Sequence, residues 1–122
     1  ALAGQDLPIY GDGTQSRCFT DVDDVVWALV KLLAHPESAG QVYNIGNPEE
    51  ISIQKLAERV IKLTGSTSKL KFISYAEALG EGFEDMQRRV PSINKLSKLT
   101  GYKPNYNLDD ILKRVIEYFR SK

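Results

Sequence analysis

Leu108, Ile111, Leu112, Val115, Ile116 and Phe119 fall on one stripe at helical spacing, and the stripe has a start signal of its own. Asn107 and Asp110 stand at the two positions of a capping pair, and Tyr106 and Ile111 at those of a hydrophobic staple. A pattern this regular commits the C-terminal stretch to an amphipathic helix, and such a helix must bury its apolar face against something else. Two further stripes repeat the demand. Val22, Val25, Val26, Leu29, Val30 and Leu33 follow a cap at Thr20 or Asp21, with Asp23 completing a capping box on Thr20. That helix ends near His35-Pro36, because a residue before proline is pushed out of the helical region and His35 is placed to cap the C-terminus. Leu56, Val60 and Leu63 form the third face, in a helix over 53–64 with Ser52 as its N-cap, an Ile51–Leu56 staple and Gly65 as its stop.

Short β-rich runs separate these helices. DLPIY carries Pro8, which suits a sheet edge; QVYNI, 41–45, lies between Gly40 and Gly46; KLKFIS, 69–74, alternates. Residues 75–90 hold two glycines and mixed charges and read mostly as loop. Pro91-Ser92 then opens a short helix over 93–100, with Ser92 a good N-cap, closed by Gly101. The order is strand, helix, strand, helix, strand, loop, helix, helix. This is a small mixed α/β fold, expected as one domain over 1–122, with too few and too short strands for a doubly wound sheet.

Charge narrows the partners. Sixteen basic and 16 acidic side chains cancel, which argues against a general electrostatic grip on nucleic acid or an anionic membrane. Cys18 is the one cysteine and can form no internal disulfide, and no apolar run approaches a membrane span, so a cytoplasmic protein is the expectation. The chain opens as ALAG, like the last turn of a helix with a glycine cap, and is expected to be a fragment of something longer.

The stretch GDGTQSRCFTDVDD, Gly11 to Asp24, carries the chemistry. It lacks the third glycine of a dinucleotide loop, since Ser16 stands there, and lacks the Lys-Ser/Thr of a phosphate loop. Asp21, Asp23 and Asp24 lack calcium-loop spacing and suit the positive end of a helix dipole. His35 is the single histidine, so neither a Cys–His pair with Cys18 nor a metal site has enough members. Arginines remain. Arg17 follows the glycine turn, and Arg88 and Arg89 end the irregular stretch; two such arginines can clamp a diphosphate, or they can be solvated surface charges.

GDGTQSRCFTDVDDVVWALV, then YNIGNPEEISIQKLAERV, then DMQRRVPSINKLSKLTGYKPNYNLDDILKRVIEYF, resemble in order the C-terminal substrate domain of extended short-chain dehydrogenases/reductases. These are NAD-dependent nucleotide-sugar epimerases, dehydratases and decarboxylases, and the resemblance covers about 7–120. It implies that Arg17 and Arg89 hold the diphosphate of a nucleotide sugar. It implies that Leu7, Pro8, Ile9 and Tyr10 border the base, that Phe83 and Asp85 sit in a loop closing over the nucleotide, and that Asn44 lies near a domain junction. Ser92, in RVPSI, replaces the acid that commonly bonds the ribose. That version is similar to the UDP-glucuronate decarboxylases, in which the equivalent of Arg89 assists the chemistry. The glycine fingerprint of the NAD half is not in this sequence, and the one Tyr-x-x-x-Lys spacing, Tyr118 to Lys122, falls at the end of the last helical stripe rather than ahead of GDGTQSRCF, where the family carries its pair. The resemblance therefore implies a parent enzyme whose NAD and Rossmann half lie outside this chain. It also implies a parent homodimer, a monomeric fragment, and no turnover from the fragment alone. A stand-alone binding module or nucleotide-sugar sensor is the competing class.

Overall fold

The structure is a computed structural model, and it describes residues 1–82 and 85–122. The described chain runs β1 (Leu7–Tyr10), β2 (Ser16–Cys18), α1 (Val22–Leu33), a 3-10 turn at Pro36–Ser38, β3 (Glu50–Ser52), α2 (Ile53–Thr64), β4 (Leu70–Ile73), α3 (Tyr75–Leu79), α4 (Asn94–Thr100) and α5 (Leu108–Arg120). Two compact units emerge: one of 1–17, 51–89 and 112–122, the other of 18–50 and 90–111.

In the first unit β1 and β4 pair in parallel, with Leu7 opposite Leu70 and Tyr10 opposite Ile73. A parallel pair needs a crossover between its strands, and α2 lies between them in sequence and packs on both. Its start and stop follow the sequence. The Ser52 hydroxyl accepts from the Lys55 N–H, and Gly65 adopts φ 67°, a left-handed stop that glycine enters without strain. Ile9, Ala57 and Ile116 of α5 are buried here. At the head of α5, the Asp110 N–H donates to the Asn107 side chain and the Asn107 N–H to that of Asp110, the capping pair its spacing foretold.

The second unit is built around Ala28, Leu96 and Tyr102, flanked by Leu32, Tyr43, Ile45 and Ile93. Here the α1 stripe is corrected. Val22, Val26, Leu29, Val30 and Leu33 are exposed, and the inward face carries Asp24 and Ala28 instead. The face is chosen by what receives it: Ala28 meets α4 residue Leu96 in the core, while the Asp24 carboxylate accepts from the Asn105 N–H, the Asn105 amide and the Tyr106 N–H. Asp21 is the cap, accepting from the Asp23 N–H; Thr20 instead takes the Asn47 N–H on its hydroxyl.

Four other expectations are corrected. QVYNI is not a strand: Tyr43 and Ile45 pack on the core, while Lys95 donates to the Gln41 side chain and the Val42 carbonyl, so this run is anchored by side chains rather than a ladder. Tyr75–Leu79 is helical where loop was expected, because Ser74 accepts from the Glu77 N–H as an N-cap. Ser92 caps nothing; Ile93 occupies that position in α4. His35 likewise makes no side-chain cap, standing ahead of the 3-10 turn with Nδ1 3.9 Å from Glu37.

Tyr102 shows how tightly the second unit is tied. Its ring is fully buried, 6.0 Å from that of Trp27, and its hydroxyl donates to the Gly46 carbonyl at 3.1 Å. Tyr102→Phe leaves that buried carbonyl short of a donor and is expected to cost about 1 kcal/mol in urea unfolding. Burial, and after it the charge of Asp24, push the phenol above its usual range. The folded state thus keeps the proton that the unfolded state gives up near pH ~10, so this contribution is whole below that pH and is lost as pH rises further. The phenylalanine variant is expected to flatten the alkaline arm of the stability profile; an unchanged arm would remove Tyr102 as its source.

Candidate functional site

The Gly11–Gly13 turn opens the site, and its space is already filled. Both glycines are left-handed, at φ 73° and 75°. A Cβ on Gly11 would lie 2.6 Å from the Tyr75 ring, and one on Gly13 would lie 3.0 Å from both Ile9 and Gln54. The N–H groups of Ile53 and Gln54 at the head of α2 donate to the carbonyls of Gln15 and Gly13. A dinucleotide cradle needs open backbone over its glycines; here the Tyr75 ring, Ile9 and Gln54 fill that space, so these residues do not fit NAD. Asp12 is held within the turn as well. The hydroxyl and N–H of Thr14 both donate to it, and the hydroxyl above all lowers its pKa. Among the described residues no group of three His, Cys, Asp or Glu is placed to hold a metal.

The turn delivers β2, hydrogen-bonded in a sheet with β3. Gln15, which spacing arguments passed over, closes it from inside: its buried amide donates to the Tyr10 carbonyl at 2.8 Å. Next comes Arg17, with one terminal nitrogen on the Ser16 carbonyl at 2.7 Å and the other on Asp85 at 2.6 Å. The second arginine arrives through the backbone. The Ser16 N–H donates to the Gln87 carbonyl, and Ser16 bridges Arg88 in parallel, so Arg17 and Arg89 each stand one residue beyond a bridged pair on segments running the same way. Seventy-two positions apart in sequence, they share one edge. Arg89 is exposed, with no ion pair among the described residues.

Pro8, Ile9 and Tyr10 lie on β1 in the same unit. Pro8 is exposed opposite Lys71, Tyr10 is exposed opposite Ile73, and Ile9 faces inward against the Gly13 turn. Ile9 is thus a core side chain, able to offer a ligand only its backbone. In the other unit the Asn44 amide donates to the Ser92 carbonyl at 3.4 Å, and the Ser92 side chain is exposed. Phe83 lies outside the described residues. Tyr75 is the aromatic that sequence reading missed. Its ring fills Gly11 and its hydroxyl reaches Asp85 at 3.5 Å; burial, then the Asp85 charge, raise its pKa. No local pattern announces it, since contact with Gly11 is made across the fold.

This geometry has company. The NAD dependent epimerase/dehydratase family matches over residues 1–46. The chain is 38% identical over 120 residues to the UDP-N-acetyl-alpha-D-glucosaminuronate decarboxylase of Bacillus cytotoxicus, covering 98% of this chain and 37% of that protein. It is 38% identical over 122 residues to UDP-glucuronic acid decarboxylase 1 of Xenopus tropicalis, covering 100% of this chain and 27% of that one. Among solved structures, an epimerase from Methanothermobacter thermautotrophicus superposes with a TM-score of 0.89 at 26% identity, over 98% of this chain and 34% of that one. The UDP-glucuronic acid 4-epimerase of Bacillus cereus, in complex with UDP-glucuronic acid and NAD, superposes with 0.84 at 30% identity, over 98% and 37%. The chain thus spans about a third of the length of the relatives it matches. Over its own length the chain is similar to about a third of the length of members of the NAD-dependent epimerase/dehydratase family.

Proposed function

We propose that this chain binds and positions a UDP-sugar, with Arg17 and Arg89 holding the diphosphate and the exposed edge of β1 beside the base. One observation carries the reading: two arginines distant in sequence follow a bridged pair onto one edge, where their guanidinium forks can meet adjacent phosphates. Pro8 and Tyr10 contribute the exposed side chains of β1, with Ile9 contributing backbone only.

The work assigned to these residues is orientation. A sugar nucleotide held by its diphosphate presents its ring in one attitude, and a fixed attitude converts an encounter into a near-unimolecular step. In the longer enzyme, bound NAD would supply oxidation and later reduction of the sugar, with epimerisation, dehydration or decarboxylation between. The relatives named as UDP-hexuronate decarboxylases and the RVPSI sequence favour decarboxylation of a UDP-hexuronate.

Titration of the chain with UDP, followed by amide NMR, tests the reading. Shifts are expected to cluster at 7–17 and 85–89 and to weaken as salt rises, since the grip is ionic. Shifts spread over the surface, or none at millimolar UDP, would defeat it.

A further inference from the structure

Arg17 does not wait for an anion; it already holds one. Its guanidinium meets the Asp85 carboxylate at 2.6 Å, with the arginine side chain 15% exposed and the carboxylate 33%. That carboxylate is no loose surface partner. One oxygen also accepts the Met86 N–H at 2.8 Å, the other the Tyr75 hydroxyl, and the Tyr75 ring is lodged against Gly11. Asp85 is therefore held in place by groups other than the arginine it neutralises. We infer that Asp85 is a built-in competitor for the anion site at Arg17, occupying the guanidinium in the empty state and giving way when a diphosphate arrives.

The inference rests on the diphosphate reading above and adds a regulatory element to it. Its physical basis is charge and geometry. A diphosphate on Arg17 would face a carboxylate at ion-pair distance from the same guanidinium, and like charges that close are costly. The N–H groups already given to Ser16 and Asp85 come from the two terminal nitrogens, which a phosphate binding end-on would use. Relief comes from swinging the carboxylate aside. The backbone bond between Ser16 and Gln87 needs no change in that exchange, so the segment carrying Arg89 can keep its register. Asp85 thereby sets how strongly the site discriminates a multiply charged phosphate from weaker anions: only a ligand that outbids a preplaced carboxylate enters.

Asp85→Asn tests this. The amide keeps the size of the side chain and an oxygen for Met86, while the charge is gone. UDP affinity is expected to rise about fivefold, the worth of a partly exposed pair near 1 kcal/mol, with the gain shrinking as salt is added. Glu81→Gln, which removes a charge from the same exposed stretch, is expected to change nothing. Equal or weaker UDP binding in Asp85→Asn, with wild-type binding still strongly weakened by Arg17→Ala, would overturn the competitor and leave the diphosphate reading standing. An equal gain in Glu81→Gln would reduce the effect to net charge and overturn it too. Silence of both wild type and Asp85→Asn at millimolar UDP would sink the diphosphate reading and the competitor with it.

Discussion

Asp24→Ala is expected to cost about 3 kcal/mol of folding stability, on the order of 10 °C in melting temperature for a chain this size. Asp24 is 1% exposed. Its oxygens accept from the Asn105 N–H at 3.1 Å, the Asn105 side-chain amide at 2.8 Å and the Tyr106 N–H at 3.3 Å. Alanine would leave those donors without an acceptor in a place water reaches poorly, and the penalty for stranded polar groups exceeds the worth of the bonds when made. Asp24→Asn should recover little, because one of its two acceptors becomes an NH2 group pointed at N–H donors. Asp23→Ala, one position earlier and exposed, should fall within ~0.5 kcal/mol of wild type. Urea unfolding of the three variants reads all of this at once. A loss below ~1 kcal/mol in Asp24→Ala would mean that the 105–106 turn finds other partners.

Asp24 also marks the limit of what spacing could tell. The sequence places an acid in the first turn of a helix, where the dipole alone is reason enough for it. Nothing local says that this acid, and not Asp23, is taken up by a turn eighty-one residues away. The same limit explains the α1 stripe. Periodicity found the helix, placing its end near His35 where the structure ends it at Leu33, yet chose the wrong face, because burial is settled by whatever the helix meets. Elements whose signals are complete within a few residues were legible: α2 between Ser52 and Gly65, and α5 behind its Asn107–Asp110 pair. The three-residue strands β2 and β3 were not, since so short a run carries no alternation to read and exists only by pairing. QVYNI failed the other way, with high β-propensity and no ladder to join.

The candidate site divides along the same line. Arg17 and Arg89 were named from residue type and family resemblance, but their meeting on one edge depends on the bridge from Ser16 to Arg88, which no motif encodes. Asp85 was placed near the site without its role as the partner of Arg17, and Tyr75 was passed over. Such contacts are made by folding, after the local signals have been spent.

Arg17→Ala is expected to weaken UDP binding by about a hundredfold, close to 3 kcal/mol, where Arg89→Ala loses about fivefold. The difference follows from placement. Arg17 is mostly buried and held on one side by the Ser16 carbonyl, so less side-chain freedom remains to be lost on binding. Arg89 is exposed and must be ordered at the moment of contact, which offsets much of what its charge contributes. Arg17→Lys separates charge from shape. A lysine keeps the charge but not the planar fork, and should recover no more than about tenfold of the loss. Because both arginines are assigned to one diphosphate, the double variant should lose less than the sum of the two, in the manner of groups sharing a ligand. Calorimetric titration with UDP at low salt measures each case. Affinity within twofold of wild type in Arg17→Ala would remove this arginine from the phosphate site, and additive losses in the double variant would mean that the two arginines serve different parts of the ligand.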